Sequence, residues 1–386
     1  MVTFSKKNIF FFLLVVTYSL RAITDALFVS RGIDSVLIMA KYATLLLAIV
    51  YGFYYLHSRD HRWKYLDLLW RISLVIVTFV LISTVKMVYS GVFSLAVFEL
   101  AVYMLLPVVT TVIALNLADQ DDIYNCLRWI LYITFFVYCV YEVGLEMFTE
   151  GNLAAISYEN SYSTFESHYT SATAMGLCAY FSFDRRKKSV TLLSLVFSLL
   201  TFKRVFVVCS IVLFALPLFI NVKRRVNIYV HRLCALGICA VVVAYYWFLI
   251  PENHMFLEKL LGIESVYDFT SSRSVFFEYI YNNPFFVNFG WGSCEASLGH
   301  LLEMDLIQML LELSIVGLVV FVFTYWRIAG TTIYGMVYMG FHFLNMLTSH
   351  SLANAFVWTI VLISLVHIED STQYSRRKRC EFVLRG

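Results

Sequence analysis

Residues able to bind a phosphate and to move a proton gather between Ser271 and Asp305. Arg273 stands near the start of SSRSVFFEYIYNNPFFVNFGWGS, and Gly290 and Gly292 stand near its end. Arginine offers a planar fork of donors that fits phosphate and stays charged near lipid. Glycine lets backbone come close to a ligand or to a neighbouring helix. His300, Glu303 and Asp305 follow, just before an apolar run. An imidazole or carboxylate there can take a proton from a hydroxyl. On a helix, 300 and 303 share a face and 305 lies on another side. The E-x-D spacing also suits a divalent-metal pair, but two carboxylates alone do not argue for metal. Acids at this place equally suit the positive end of the following helix. Arg273 has a bland reading too: Val275, Phe276, Tyr279 and Ile280 recur at helical spacing, as in an interfacial helix with a solvated arginine, ended by Asn282-Asn283-Pro284.

Lys203 and Arg204 form a second basic site, in the tight turn TFKRVF between two apolar runs. The pair either holds an anion or meets lipid head groups. Within the apolar runs, Arg21 and Asp25 lie one helical turn apart, and Lys41, Lys86, Glu142 and Glu146 sit in or near run ends. Intramembrane charge points to function, whereas charge at the end of a span often snorkels to the interface.

A membrane must position these residues. The chain has 386 residues, is 60% hydrophobic and only 14% charged, and has a mean hydropathy of +0.76. That leaves too little charged surface for a soluble protein. Apolar runs of ~20 residues recur throughout, the length a helix needs to cross ~30 Å of hydrocarbon. Continuous runs of this kind argue against a β-barrel, whose strands alternate. The net charge of +3 is small, and no nucleic-acid partner is expected. Most of the eight cysteines lie inside apolar runs, and none forms a CxxC pair, so neither zinc nor a disulfide framework is expected. The first apolar run has no small-residue cleavage site after it and reads as a retained span.

The expectation is an all-α integral membrane protein with about twelve transmembrane helices. The spans are roughly 8–29, 35–57, 66–88, 92–118, 123–147, 169–184, 188–202, 205–222, 230–250, 306–326, 329–347 and 349–367. With the N-terminus inside, the cytoplasmic connections carry Arg59, Arg62 and Lys64, then Arg185 to Lys188, then Lys223, Arg224, Arg225 and Arg232, then Arg327. The tail, 368–386, adds Arg376, Arg377, Lys378 and Arg379. The positive-inside rule then places both termini in the cytoplasm. Two outer connections are long: the polar 148–168 and the main loop 251–305, expected to contain short helices. The turn with Lys203 and Arg204 falls outside, where basic residues are disfavoured, and so wants a reason. The chain reads as one polytopic domain, 1–386, without a soluble domain or internal repeat. The missing repeat disfavours transporters built from related halves.

At this point the residues resemble the O-antigen polymerase (Wzy-type) and O-antigen ligase superfamily of bacterial membrane glycosyltransferases. Arg273, Pro284, Gly290 and Gly292 fit the R…(N)P(L/F)…G-x-G pattern of that family's long periplasmic loop. Glu303, Asp305, Leu306, Leu310, Glu312, Ser314, Gly317 and Leu318 fit the His-or-acid then L-x-x-L-x-E-x-G-x-x-G-L that follows. Lys203 and Arg204 fit a basic pair that opens a mid-chain span, and His168 in FESHYTSATAMG matches another segment. The motifs cover about 160–320. Ser314 replaces the usual first glycine, and the histidine position of ligases aligns best with Glu303 while His300 is offset by three residues. Both the base and the choice between polymerase and ligase hang on that offset, which favours polymerase.

The resemblance implies a GT-C-like fold in the bacterial cytoplasmic membrane. It implies undecaprenyl-diphosphate-linked glycans as donor and acceptor, and metal-independent transfer without a cofactor. Membrane lipid is a further partner, and a chain-length regulator protein fits beside it. Arg204, Arg273 and Lys203 would bind the diphosphate. Glu303, Asp305 or His300 would orient or deprotonate the acceptor hydroxyl. His168, Gly290 and Gly292 would touch substrate. A single displacement would invert the anomeric centre. Other classes remain open: an O-antigen ligase, a lipid-linked oligosaccharide flippase, and an ion-coupled transporter with interrupted helices.

Overall fold

The computed structural model describes residues 6–31, 35–58, 63–143, 168–201, 203–270 and 272–383. Among these there is no strand, only one isolated bridge between Arg225 and Thr332. The chain folds as two compact units, one of residues 1–66, 107–223 and 356–386, the other of residues 67–106 and 224–355.

The first unit holds α1 (Lys6–Arg31), α2 (Ser35–His57), α5 (Gln120–Val137) with a π-helical extension (Tyr138–Val143), α6 (His168–Asp184), α7 (Lys188–Leu200), α8 (Arg204–Phe219) and α16 (Ala355–Val383). The second holds α3 (Leu66–Ser90), α9 (Ile228–Leu249), a run of short helices and then α14 (Asp305–Ile328) and α15 (Ile333–Thr348). The short helices are α10 (His254–Leu261), α11 (Val266–Phe269), α12 (Arg273–Tyr281) and α13 (Ser293–Leu298). Helix α4 (Ala96–Leu117) passes from one unit to the other at Pro107.

Helices thus occupy every apolar run singled out above, because those runs are long, unbroken and poor in proline. Among the described residues, eight helices are long and apolar enough to cross a membrane: α1 to α5, α9, α14 and α16. The protein is therefore an α-helical, multi-pass membrane protein by length and composition. Helices α6, α7, α8 and α15 have 17, 13, 16 and 16 residues, short of the ~20 that a bilayer asks for.

Two boundaries differ from expectation. The last run begins as a helix at Ala355, not at 349, because the N–H groups of Ser351 and Leu352 bond the Asp305 side chain at 2.6 and 2.7 Å. Its helix then continues to Val383 through the basic segment expected as a separate tail. That segment has no proline or glycine to stop it before Gly386. Most of the connection 148–168, expected on the outer side, lies outside the described residues.

In the first unit, α1 packs on α2 and α5, and α6 on α7 and α8. Tyr18 Oη donates to the Phe356 carbonyl at 2.6 Å. Arg21 Nε pairs with Asp25 at 2.5 Å, and its guanidinium lies 5.1 Å from the Phe356 ring, so the expected turn-apart pair forms. In the second unit, α9 packs on α14 and α14 on α15. Trp326 Nε1 donates to the His231 carbonyl at 2.7 Å, while His231 Nε2 lies 3.2 Å from the Trp326 carbonyl. This reciprocal pair locks the start of α9 to the end of α14.

Helix α14 is not regular. Ser314 has φ 65° and ψ 179°, a backbone region that is nearly reserved for glycine. It is the position where the resemblance expects glycine. Two carbonyls just before the break receive side-chain donors: Asn288 Nδ2 reaches Leu311 O at 2.7 Å, and Lys86 Nζ reaches Glu312 O at 2.7 Å. Lys86, noted in the sequence as a charge near a span end, is thus spent on the α14 backbone.

Candidate active site

The main loop of the second unit is built around α12, α13 and the start of α14. Helix α12 begins at Arg273 because the backbone before it turns sharply. Ser272 has φ 65°, its N–H bonds the Tyr267 carbonyl at 2.8 Å, and the Ser274 N–H bonds Thr270 Oγ1 at 3.2 Å. Phe277 and Ile280 face inward, and the helix frays at Asn282, as the Asn-Asn-Pro sequence requires.

One turn apart on α12, Arg273 and Phe276 face the segment that precedes α14. Arg273 Nη2 lies 3.7 Å from Glu303 Oε2, and Arg273 Nη1 donates to the Thr270 carbonyl at 3.2 Å. The His300 ring sits edge-on to Phe276, 4.4 Å between centroids. His300 and Glu303 are exposed and Arg273 is partly so. Glu303 has φ 56°, left-handed for a residue with a side chain. A guanidinium, a carboxylate and an imidazole therefore share one open surface. The arrangement can hold an anion at Arg273 and accept a proton at Glu303 or His300.

Asp305 is placed differently from its neighbours. It is completely buried, and besides the Ser351 and Leu352 amides its Oδ1 lies 2.7 Å from His350 Nδ1. Its carboxylate ties the start of α14 to the loop between α15 and α16. Of the three ionisable residues marked in the sequence, only His300 and Glu303 face outward. His350 went unmarked, hidden by an apolar stretch that read as the start of a span. Burial opposes charge on its imidazole, but the adjacent Asp305 outweighs it, with Glu295 and Glu303 adding to the pull, so its pKa is raised.

The two glycines serve packing. Gly290 (φ 100°) presses on α3, where an added Cβ would come within 2.5 Å of the Ser83 Cα. Gly292 (φ 95°) presses on the start of α4, where a Cβ would meet that of Ala96 at 2.6 Å. Of the two readings available from sequence, close approach to a ligand or to a neighbouring helix, the geometry realises the second. The amides of this loop are also occupied. Gly292 N–H and Cys294 N–H donate to the fully buried Glu312 carboxylate at 3.0 and 2.6 Å, and Gln308 Nε2 donates at 3.0 Å. The start of α13 has the helix-end N–H groups that suit an anion, and the buried Glu312 side chain fills that place from within the chain. Burial pushes the neighbouring Cys294 thiol up, which keeps it protonated.

Lys203 and Arg204 belong to the first unit, where Lys203 caps α8 and Arg204 is its first residue. The Lys203 Nζ lies 5.1 Å from the Phe206 ring centre. His168 is the first residue of α6, and its side chain lies outside the described residues.

No family model matches this chain, and no curated protein matches it.

Proposed function

We propose that the protein is a polymerase of undecaprenyl-diphosphate-linked oligosaccharide repeats, acting as a GT-C-like glycosyltransferase at the outer face of a bacterial cytoplasmic membrane. The reading includes twelve crossings with both termini in the cytoplasm, the main loop outside, and O-antigen, capsule or another exopolysaccharide as product. The observation that supports it is the open surface shared by Arg273, Glu303 and His300. A cation there faces a candidate base across a few ångströms.

In this mechanism the acceptor hydroxyl attacks the anomeric carbon of the donor as undecaprenyl diphosphate departs, and a single displacement inverts that centre. Negative charge grows on the diphosphate, so Arg273 stabilises the transition state more than the ground state. Glu303 or His300 receives the hydroxyl proton. Asp305 has a supporting place, since its Oδ2 accepts the Ser351 and Leu352 amides and its Oδ1 lies against His350.

The test is polymerisation by purified protein from a defined lipid-linked repeat. Products longer than one repeat, with inverted linkage, are expected. Unchanged single repeats in the presence of an inserted, folded protein would sink the proposal. A deletion strain adds a check: single repeats should build up on the outer side, whereas repeats trapped inside would mean a flippase.

A further inference from the structure

We propose that the cavity between α3, α9 and α14 binds the phosphate group of an anionic phospholipid. The cavity measures about 460 Å³ and takes Arg71 from α3, Arg232 from α9 and Arg327 from α14. It lies wholly within the second unit. It shares no residue with the candidate active site, so the inference stands apart from the proposed activity.

Three arginines from three helices line the cavity. Asp67 pairs with Arg71, and the Asp67 side chain is 72% exposed. An acid so exposed holds its partner weakly and yields readily to a phosphate. The Arg71 Nε is buried and makes no hydrogen bond. The mutual bonds of His231 and Trp326 fix one wall, so the site needs little ordering when a ligand enters.

The rim argues for lipid over a soluble anion. Leu74 and Ile228 line the cavity and are exposed, offering apolar surface beside the cations. Head groups of acidic lipids bind basic pockets of this kind between membrane helices, phosphate on arginine and chain on the flanking apolar face.

The experiment is thermal unfolding of the full-length protein in detergent, titrated with phosphatidylglycerol, phosphatidylcholine or inorganic phosphate. Phosphatidylglycerol should raise the midpoint saturably, and phosphatidylcholine should not. The double variant Arg232→Gln/Arg327→Gln should weaken the apparent affinity by roughly tenfold or more. Lys223→Gln/Arg224→Gln, which removes as much charge outside the cavity, should leave it unchanged. Arg327→Lys keeps the charge but not the planar fork, and should give an intermediate loss even if the double variant does not fold. Equal weakening in the two double variants, no loss in Arg327→Lys, or no shift with phosphatidylglycerol would overturn the site. Inorganic phosphate protecting as fully as the lipid would overturn the lipid assignment.

Discussion

Glu312 accepts the backbone N–H of Cys294 at 2.6 Å across 18 residues of chain. Together with the Gly292 amide, this bond makes a buried carboxylate of α14 the anchor of the glycine loop. Glu312→Ala leaves two buried backbone amides without an acceptor, at about 1–3 kcal/mol each, so a loss of roughly 2–6 kcal/mol is expected. Glu312→Gln keeps one acceptor oxygen and should cost less. Thermal unfolding in detergent measures both, and equal midpoints for wild type and Glu312→Ala would contradict the anchor.

Ser314→Gly should stabilise. The serine holds a conformation that costs about 1–3 kcal/mol for a residue with a Cβ. Removing that carbon should raise the unfolding midpoint, while Ser314→Ala should not. A lower midpoint for the glycine variant would show that the break is unstrained.

Gly290→Ala and Gly299→Ala separate backbone strain from crowding. Both glycines have positive φ, 100° and 74°, but an added Cβ at 290 meets Ser83 whereas at 299 nothing lies within 4 Å. Each change carries the strain of a left-handed alanine, about 1 kcal/mol or more. Only the first also pushes the loop off α3, so its midpoint should fall further. Equal falls would remove the packing role assigned to Gly290.

His350 links stability to pH. Its folded pKa is raised above the ordinary ~6.5 by Asp305 despite burial. A raised value means the stabilisation is complete below pH ~6.5 and fades as pH climbs through the folded value. Wild-type protein should therefore lose more stability than His350→Gln between about pH 6 and pH 9. Parallel curves would remove the charge from this pairing.

Arg273→Ala should cut polymer formation by ~10²–10³, the usual loss for one transition-state donor, with the protein still inserted and folded. Arg273→Lys, a point charge without the fork, should recover part of it. A normal ladder of glycan on a gel from the alanine variant would remove Arg273 from the diphosphate role.

Much of the helical architecture was legible because hydrocarbon demands long apolar runs, and each run became a helix. The partnerships were not legible where they join distant residues. Asp305 reads as first-turn acid in any local window, and only the fold brings Ser351 and Leu352, 46 and 47 residues on, to its Oδ2. His350 vanished into an apolar stretch for the same reason. Gly290 and Gly292 were visible as points of close approach, but what they approach depends on where α3 and α4 pass. Ser314 stands where the resemblance expects glycine, and its backbone has a conformation that glycine favours.

The break in α14 also ties three separate positions to one another. If residue 314 resumed ordinary helical backbone, the Leu311 and Glu312 carbonyls would recover their own ladder, and the ammonium of Lys86 would lose its backbone acceptor. Lineages that straighten this helix should therefore also replace Lys86 and Asn288 with uncharged or smaller residues, so the three sites are expected to covary as a set.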